Sequence, residues 1–309
     1  MPSKNPSVGE ALRAASQTLK KNGIEDHRFE AEYLLAFILK IKRHELFLRP
    51  DRVLSAAEGR LLSAYVKKRS LREPLQYITG ETEFRGITFK VSRAVLIPRP
   101  ETEILVDEAI KAAPAGAFIA LDICAGSGCI AISLAKEVPL CRVFATDISK
   151  DALTAARENA SVAGVEERIT FLEGSLFDPL KTLDLEGKAA LILSNPPYVS
   201  TEEMKKLPQE IKGFEPRSSL WGGADGLRFF RRIVKDAPKY LIGKGRLIME
   251  MGYGQAAGVR KIIEASGEFT GIEVKKDLSG IERIISATRV MPSSKKAKGR
   301  MRGSFHFPA

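Results

Sequence analysis

The sequence predicts an α/β fold, a mostly parallel sheet covered by helices on both faces, behind a small all-helical module. Two observations carry this. From Phe118 onward, short apolar runs alternate with helical patterns, and strands alternating with helices argue for a parallel sheet buried on both sides. Before that point, residues 1–75 show only helical periodicity.

The helical module comes first. Val8, Leu12, Ala15 and Leu19 recur at helical spacing, and Gly23 stops that helix. A second run, Phe29 to Leu39, is apolar on most sides and is expected at the module's centre. Ser55-Ala56-Ala57-Glu58 fits a capping box and starts a third helix through Leu61, Leu62, Tyr65 and Val66. Arg72-Glu73-Pro74 ends it, because proline disfavours helix in the residue before it. Phe84 and Ile87–Val91 then flank Arg85-Gly86, a hairpin or extended linker. Ile97-Pro98-Arg99-Pro100 leads into a helix over Thr102–Ala113.

The predicted strands are Phe118–Ile123, Arg142–Asp147, Ile169–Glu173, Ala189–Ser194, Gly245–Met251, Ile272–Lys275 and Arg283–Thr288. Helices are expected between the first four, and Leu227–Leu241 is a helix before the fifth. The last two strands have no long helix between them and suit an antiparallel edge. No internal repeat is visible. The tail from Pro292 is rich in Lys, Ser and Gly and reads as disordered.

Composition narrows the classes of function. At 309 residues the chain can bury a large core and a smaller one, and 44% hydrophobic with 28% charged residues is ordinary for a globular protein. No apolar run is long enough to span a bilayer. Met1 to Glu10 lacks the apolar core of a signal peptide and the Arg-rich pattern of a transit peptide. Cys124, Cys129 and Cys141 have no metal-ligand spacing, and only three histidines are present, so no metal site is expected. A reducing cytoplasm is the simplest setting. The net charge of +11 is unevenly spread. Residues 1–75 carry 15 basic and 9 acidic side chains, the tail 292–309 five basic and none acidic, and 76–291 has 29 of each. The basic regions could attract an acidic partner or bind nucleic acid weakly, although solvated helix faces explain them equally well.

Two constellations carry chemistry. The first, Leu121 to Ala131, follows a strand and opens a helix. Gly126 and Gly128 allow a tight turn and close approach of backbone to a ligand. Asp147, 21 residues after Gly126 at the end of the next strand, can accept both ribose hydroxyls of a nucleoside cofactor. Gly126-x-Gly128-x-x-Ala131 also satisfies a dinucleotide pattern, so this loop alone leaves a nicotinamide enzyme open, whereas a P-loop is excluded.

The second is Asn195-Pro196-Pro197-Tyr198 after the fourth strand, at the edge where open α/β sheets bind ligands. The prolines stiffen the loop and free the Pro196 carbonyl. An amide-type –NH2 is a poor nucleophile, and two acceptors, the Asn195 side-chain oxygen and the Pro196 carbonyl, would orient it for methyl transfer. Tyr198 would pack against the planar target group.

With these residues the chain resembles the release factor glutamine methyltransferases, the PrmC/HemK family. The resemblance rests on Arg72 to Gly80, Leu96-Ile97-Pro98-Arg99-Pro100-Glu101-Thr102-Glu103, the glycine loop, Ser194 to Tyr198, Phe214-Glu215-Pro216 and Gly280 to Arg283. It implies a seven-stranded, Rossmann-like class I methyltransferase domain behind a helical substrate-recognition domain. It also implies transfer of methyl from S-adenosylmethionine to the glutamine of a release factor's Gly-Gly-Gln motif. The division is then 1–75 for recognition, 76–100 for the hairpin linker, 101–291 for catalysis and 292–309 for the tail. Matched motif to motif, Cys124, Ala125, Gly126, Ser127 and Gly128 would wrap the methionine part of the cofactor and Asp147 its ribose. Leu176 would lie near the adenine, and Asn195, Pro196, Pro197 and Tyr198 would hold the glutamine. Two departures stand out: Cys124 occupies a position that is usually glycine, and Ser175-Leu176 replaces an acidic and an aromatic residue. The nearest alternative is methylation of adenine N6 in DNA or RNA, which presents a similar planar –NH2. A nicotinamide dehydrogenase, without an evident proton-relay histidine, and a non-catalytic binding protein follow further behind.

Overall fold

The structure, a computed structural model, describes residues 5–291; the predicted disordered tail 292–309 lies outside the described residues. Four helices open it: α1 (Val8–Lys21), α2 (His27–Leu39), α3 (Ala56–Ser70) and α4 (Leu75–Thr79). The predicted box at α3 is formed in both directions. Ser55 N–H donates to Glu58 Oε2 at 2.7 Å and Glu58 N–H to Ser55 Oγ at 3.2 Å. Gly23, just past α1, takes a φ of +72°, the left-handed conformation glycine reaches without strain. Leu19, Leu34, Leu35, Leu46 and Leu54 are fully buried in the module's own core. Phe29, at the start of the central run, instead remains 46% exposed under the Arg43 guanidinium. α3 stops at Ser70, and Arg72 turns the chain with a φ of +70° two residues before the proline.

Strands β1 (Glu81–Phe84) and β2 (Ile87–Lys90) form the expected hairpin. Arg85 and Gly86 both have positive φ, the signature of a tight hairpin turn. Arg85 then spreads its guanidinium between Asp107 (2.7 Å) and Glu137 (2.6 Å), tying the turn to two helices of the larger domain.

The second part runs α5 (Thr102–Lys111), β3 (Phe118–Ile123), α6 (Cys129–Glu137), β4 (Cys141–Asp147), α7 (Lys150–Ala163), β5 (Ile169–Glu173) and β6 (Ala189–Ser194). It continues through the short helices α8 (Thr201–Lys206), α9 (Gln209–Phe214) and α10 (Arg217–Leu220). Last come α11 (Arg228–Tyr240), β7 (Leu241–Glu250), α12 (Ala256–Ser266), β8 (Phe269–Lys276) and β9 (Glu282–Arg289). The seven strands pair in the order β5-β4-β3-β6-β7-β9-β8, parallel up to β7, with β9 antiparallel to both its neighbours. Strand alternation sends Ala120, Val143, Ala145, Leu191 and Leu193 to one face and Leu121, Ile123, Ile192, Leu247 and Met249 to the other. Each face is buried, so the sheet carries two hydrophobic layers.

Two connections differ from expectation. Only a 3-10 turn, Asp178–Thr182, joins β5 to β6 where a helix is predicted. Pro179 interrupts the segment, and a Cβ at Gly174 would lie 2.5 Å from the Pro179 ring. Conversely, α12 is not predicted, although Ala256, Val259 and Ile263 recur at helical spacing along its buried side. A Cβ at Gly258 would come within 2.9 Å of Leu227 Cδ1, the movable end of a side chain. Among the described residues, no helix is long and apolar enough to cross a membrane.

Candidate active site

Strand order reverses at β3: the chain first builds outward through β4 and β5, then returns to place β6 on the other side. Ligands of open α/β sheets bind outside the carboxyl ends of the strands at such a point. A cleft of about 330 Å³ lies there.

The glycine loop forms its floor. Cys124 and Ala125 donate their N–H groups to the Thr146 carbonyl at 2.9 and 3.0 Å, which docks the loop on the end of β4. The two glycines have different reasons to be glycine. A Cβ at Gly126 would meet nothing within 4 Å, whereas one at Gly128 would press within 3.0 Å of Ile132 and 3.1 Å of Ala156. Gly126 therefore leaves room on the cleft side, and Gly128 lets α6 approach α7. Cys124 adopts a φ of +69°, a left-handed conformation where glycine is unstrained and cysteine is not. Burial pushes its thiol pKa up, so the group is a neutral thiol at physiological pH.

Asp147 accepts Gly126 N–H on Oδ2 and Ser149 N–H on Oδ1, both at 2.9 Å. Burial raises its pKa, and these backbone donors oppose the rise. Each oxygen keeps acceptor capacity for a further donor, as a pair of ribose hydroxyls would require. Beyond β5, Leu176 lines the cleft with a φ of +51°, next to Ser175, whose hydroxyl accepts from Arg232 at 3.2 Å.

Asn195 follows β6, whose end is fixed by Ser194 Oγ donating to the Ile123 carbonyl at 2.6 Å. The Asn195 side chain donates from Nδ2 to Thr102 Oγ1 at 3.2 Å. Thr102 in turn donates to Glu250 Oε2 at 2.6 Å, and Tyr198 OH lies 3.5 Å from Glu250 Oε1. Glu250 is 2% exposed, and burial pushes its pKa up to about 7.

Of the residues predicted for the site, Cys124, Ala125, Gly126, Ser127, Asp147, Leu176, Asn195 and Pro197 line this one cleft. Gly128, Pro196 and Tyr198 do not line it. Gly128 caps α6, Pro196 is buried, and the Tyr198 ring packs beside Gly252, where a Cβ would lie 2.9 Å from its Cδ2.

Several supporting residues have no role assigned by the sequence, although Arg72, Arg99 and Glu215 lie in the motifs that carry the resemblance. Asn159, 2% exposed on α7, donates to the Ser127 and Lys90 carbonyls at 3.1 Å and accepts Lys90 N–H at 2.8 Å. It joins the hairpin to the glycine loop. The run Gly222-Gly223-Ala224-Asp225-Gly226 lies against the Asn195–Tyr198 loop: a Cβ at Gly226 would sit 2.3 Å from the Tyr198 carbonyl oxygen, and one at Gly222 2.7 Å from that of Pro197. Three glycines in five residues were the available signal. Arg99, from the Ile-Pro-Arg-Pro segment, lines the cleft and pairs with Glu215, which is 7% exposed. Buried Arg69 joins Glu30 of α2 (2.5 Å) to Glu210 of α9 (3.4 Å), and Arg72 reaches Glu210 at 3.1 Å, so the helical module holds the segment that follows the Asn195–Tyr198 loop.

Comparison with known proteins agrees with this arrangement. Residues 10–80 match the family model described as PrmC N-terminal domain, and residues 101–211 that of the methyltransferase small domain. The release factor glutamine methyltransferase of Geobacter sulfurreducens is 42% identical over 267 residues, covering 86% of this chain and 91% of its own. That of Thermodesulfovibrio yellowstonii is 42% identical, covering 83% and 90%, and that of Moorella thermoacetica 39% identical, covering 92% and 99%. Among solved structures, the hMettl16 catalytic domain in complex with the MAT2A 3′UTR hairpin 6 superposes with a TM-score of 0.54. It covers 77% of this chain and 85% of its own at 14% identity, a likeness of fold alone. With this identity to curated relatives over nearly their whole length, and with the helical module and the methyltransferase sheet both in place, the chain belongs to the release factor glutamine methyltransferase family.

Proposed function

We propose that this enzyme methylates the side-chain amide nitrogen of the glutamine in the Gly-Gly-Gln motif of peptide chain release factors, using S-adenosylmethionine. The observation that carries this reading is the meeting of Asn195 with Asp147 and the glycine loop in one cleft. The open space beside Gly126 and the remaining acceptor capacity of Asp147 suit such a cofactor. Cys124 to Ser127 would hold its methionine part, Asp147 its ribose, and Leu176 would border its adenine; Gly128 supports the loop from behind.

When bound, S-adenosylmethionine supplies a methyl group on a sulfonium centre. The chain's own residues position the acceptor. The glutamine –NH2 has two N–H groups: Asn195 Oδ1, from a residue that lines the cleft, would accept one, and the carbonyl of Pro196, a buried residue next to it in the chain, is the acceptor proposed for the other. Neither acceptor is engaged by another of the described residues. Held this way, the nitrogen lone pair points at the incoming carbon, and the gain comes from orientation and electrostatics. The amide proton leaves once the N–C bond has formed, so no strong base is needed beforehand. Pro197 stiffens the loop, and the Tyr198 ring, packed beside Gly252, braces it from behind.

Residues 1–75 serve in recognition of the release factor, 76–100 link, and 101–291 catalyse, in a cytoplasmic setting. The pairing of Arg69 and Arg72 with Glu210 supports a rigid relation between the recognition helices and the catalytic loop. Adenine in duplex nucleic acid is the less favoured target, since it would have to be flipped out of its stack. The segment 76–291 carries no net charge, so it exerts no overall attraction on a polyanionic duplex.

The test is transfer of radiolabelled methyl, with release factor and DNA offered separately. Label on the release factor, lost when its Gly-Gly-Gln glutamine is replaced and lost with Asn195→Ala, is expected. Label on DNA alone would overturn the substrate, and label on neither the cofactor.

A further inference from the structure

We propose that Thr102 and Glu250 are positioning residues that set which way round the Asn195 amide sits, and so make Asn195 an acceptor rather than a donor toward the substrate. The inference rests on the reading of Asn195 as the group that holds the target –NH2.

The two ends of an asparagine amide have nearly the same shape and opposite hydrogen-bonding character, so only their partners decide the orientation. Here the partners form a directed chain. An ionised carboxylate can only accept, and Glu250 Oε2 lies 2.6 Å from Thr102 Oγ1. Thr102 has one proton, and this contact uses it. Its oxygen can then only accept from Asn195, which must present Nδ2, as observed at 3.2 Å. Oδ1 is thereby left as the end free to meet a group in the cleft that Asn195 lines, where it can accept an N–H and would repel a carboxylate. Without this chain the flipped amide would offer –NH2 to an –NH2, a pairing with no hydrogen bond.

The chain also has a condition. A protonated Glu250 can donate to Thr102, which can then donate to Asn195 Oδ1 and stabilise the flipped amide. The groups facing Glu250 are Thr102 and Glu101 at the start of α5, Tyr198, Arg283 of β9 and Cys129 of α6. Of these, only the Arg283 guanidinium favours the charged form through its charge, while Glu101 opposes it. Burial dominates and brings the pKa up to about 7, within reach of ordinary assay conditions.

The experiment compares Thr102→Val, Thr102→Ser and Glu250→Gln with the native chain, using intact release factor and a release factor whose target glutamine is glutamate. Thr102→Val is expected to lower kcat on the order of tenfold to a hundredfold, with cofactor Kd nearly unchanged, while Thr102→Ser retains most of the activity. The decisive readout is discrimination: the native chain binds the glutamine form more tightly than the glutamate form, and Thr102→Val loses this preference because its asparagine is free to turn. In the native chain kcat falls as pH drops below about 7, and in Glu250→Gln that acid limb flattens. This second variant carries the test if Thr102→Val does not fold. Unchanged kcat in Thr102→Val, or a loss with unaltered glutamine-over-glutamate preference, would overturn the inference. Failure of the native chain to label any release factor would overturn the functional reading beneath it, a result distinct from loss confined to the variants.

Discussion

Asp122 sits at the end of β3 with no exposure to solvent, and its replacement by asparagine has a consequence with a definite sign. Its Oδ2 accepts Ala131 N–H at 3.2 Å, while Oδ1 is buried without a hydrogen-bond partner. Burial pushes its pKa from the ordinary 3.8 up to about 7, and the nearby Asp147 charge adds to the rise. The folded state thus holds this proton more tightly than the unfolded chain. Between pH 4 and 7 the folded form binds more protons, so stability falls as pH rises through that window. At about 1.4 kcal/mol per unit, the buried charge costs about 4 kcal/mol above pH 7, and about 3 kcal/mol of that develops between pH 5 and 8. Asparagine keeps an oxygen for Ala131 N–H and cannot titrate. Whatever fixed offset its –NH2 introduces beside the orphaned position, the difference in stability between Asp122→Asn and the native chain must grow with pH. Urea unfolding at pH 5, 6, 7 and 8 measures it. The variant is expected to gain about 3 kcal/mol on the native chain across that range. A difference constant to within about 0.5 kcal/mol, inside the scatter of such extrapolations, would refute the argument that burial sets the charge of Asp122.

Asp147→Ala removes the acceptor expected for the ribose, and calorimetry should show cofactor affinity down at least tenfold, on the order of one charge-assisted hydrogen bond. Gly126→Ala and Gly226→Ala should behave differently although both positions have positive φ. The first meets no atom within 4 Å and should cost about 1 kcal/mol of stability while weakening cofactor binding. The second drives a Cβ to 2.3 Å from the Tyr198 carbonyl oxygen and should lower stability by about 3 kcal/mol and abolish turnover. Asn159→Leu deletes three hydrogen bonds linking the hairpin to the glycine loop, and a loss of about 2–4 kcal/mol in denaturant unfolding is expected.

Much of this architecture was legible in the sequence because the relevant physics is local. The strands Phe118–Ile123, Ile169–Glu173 and Ala189–Ser194 occur with the predicted bounds, since a continuous apolar run bounded by turns has few other ways to be buried. Capping at Ser55 and Glu58 depends on residues three apart. The turn at Arg85-Gly86 is written in two residues. The glycine loop, Asp147 and the Asn-Pro-Pro-Tyr segment are likewise short motifs, each placed at a strand end by the alternation around it. What stayed hidden is pairwise and distant. Thr102 and Glu250 are 148 residues apart and meet only because β6 and β7 are neighbours in the sheet and α5 packs over their ends. Nothing in either residue's surroundings announces the other. Asn159 reads as one polar residue in an amphipathic helix until the hairpin folds against it.

This division has a physical basis that extends to Tyr198. Read from the motif alone, an aromatic ring after two prolines suits stacking on a planar target. In the folded chain its ring is drawn the other way, toward Gly252 and Glu250. Short motifs specify which backbone groups and small side chains meet a ligand, because close approach demands glycine, proline or a particular acceptor at a fixed spacing. A large side chain has rotamers to choose from, and long-range packing makes that choice. Here the decision lies with glycines 24 to 54 residues downstream: Gly222 and Gly226 let the neighbouring loop close over the Pro197–Tyr198 backbone, and Gly252 opens the space the ring fills. A bulkier residue at Gly252 would push the ring toward the cleft, so the braced position of Tyr198 follows from an absence of side chain that no reading of the four-residue motif could contain.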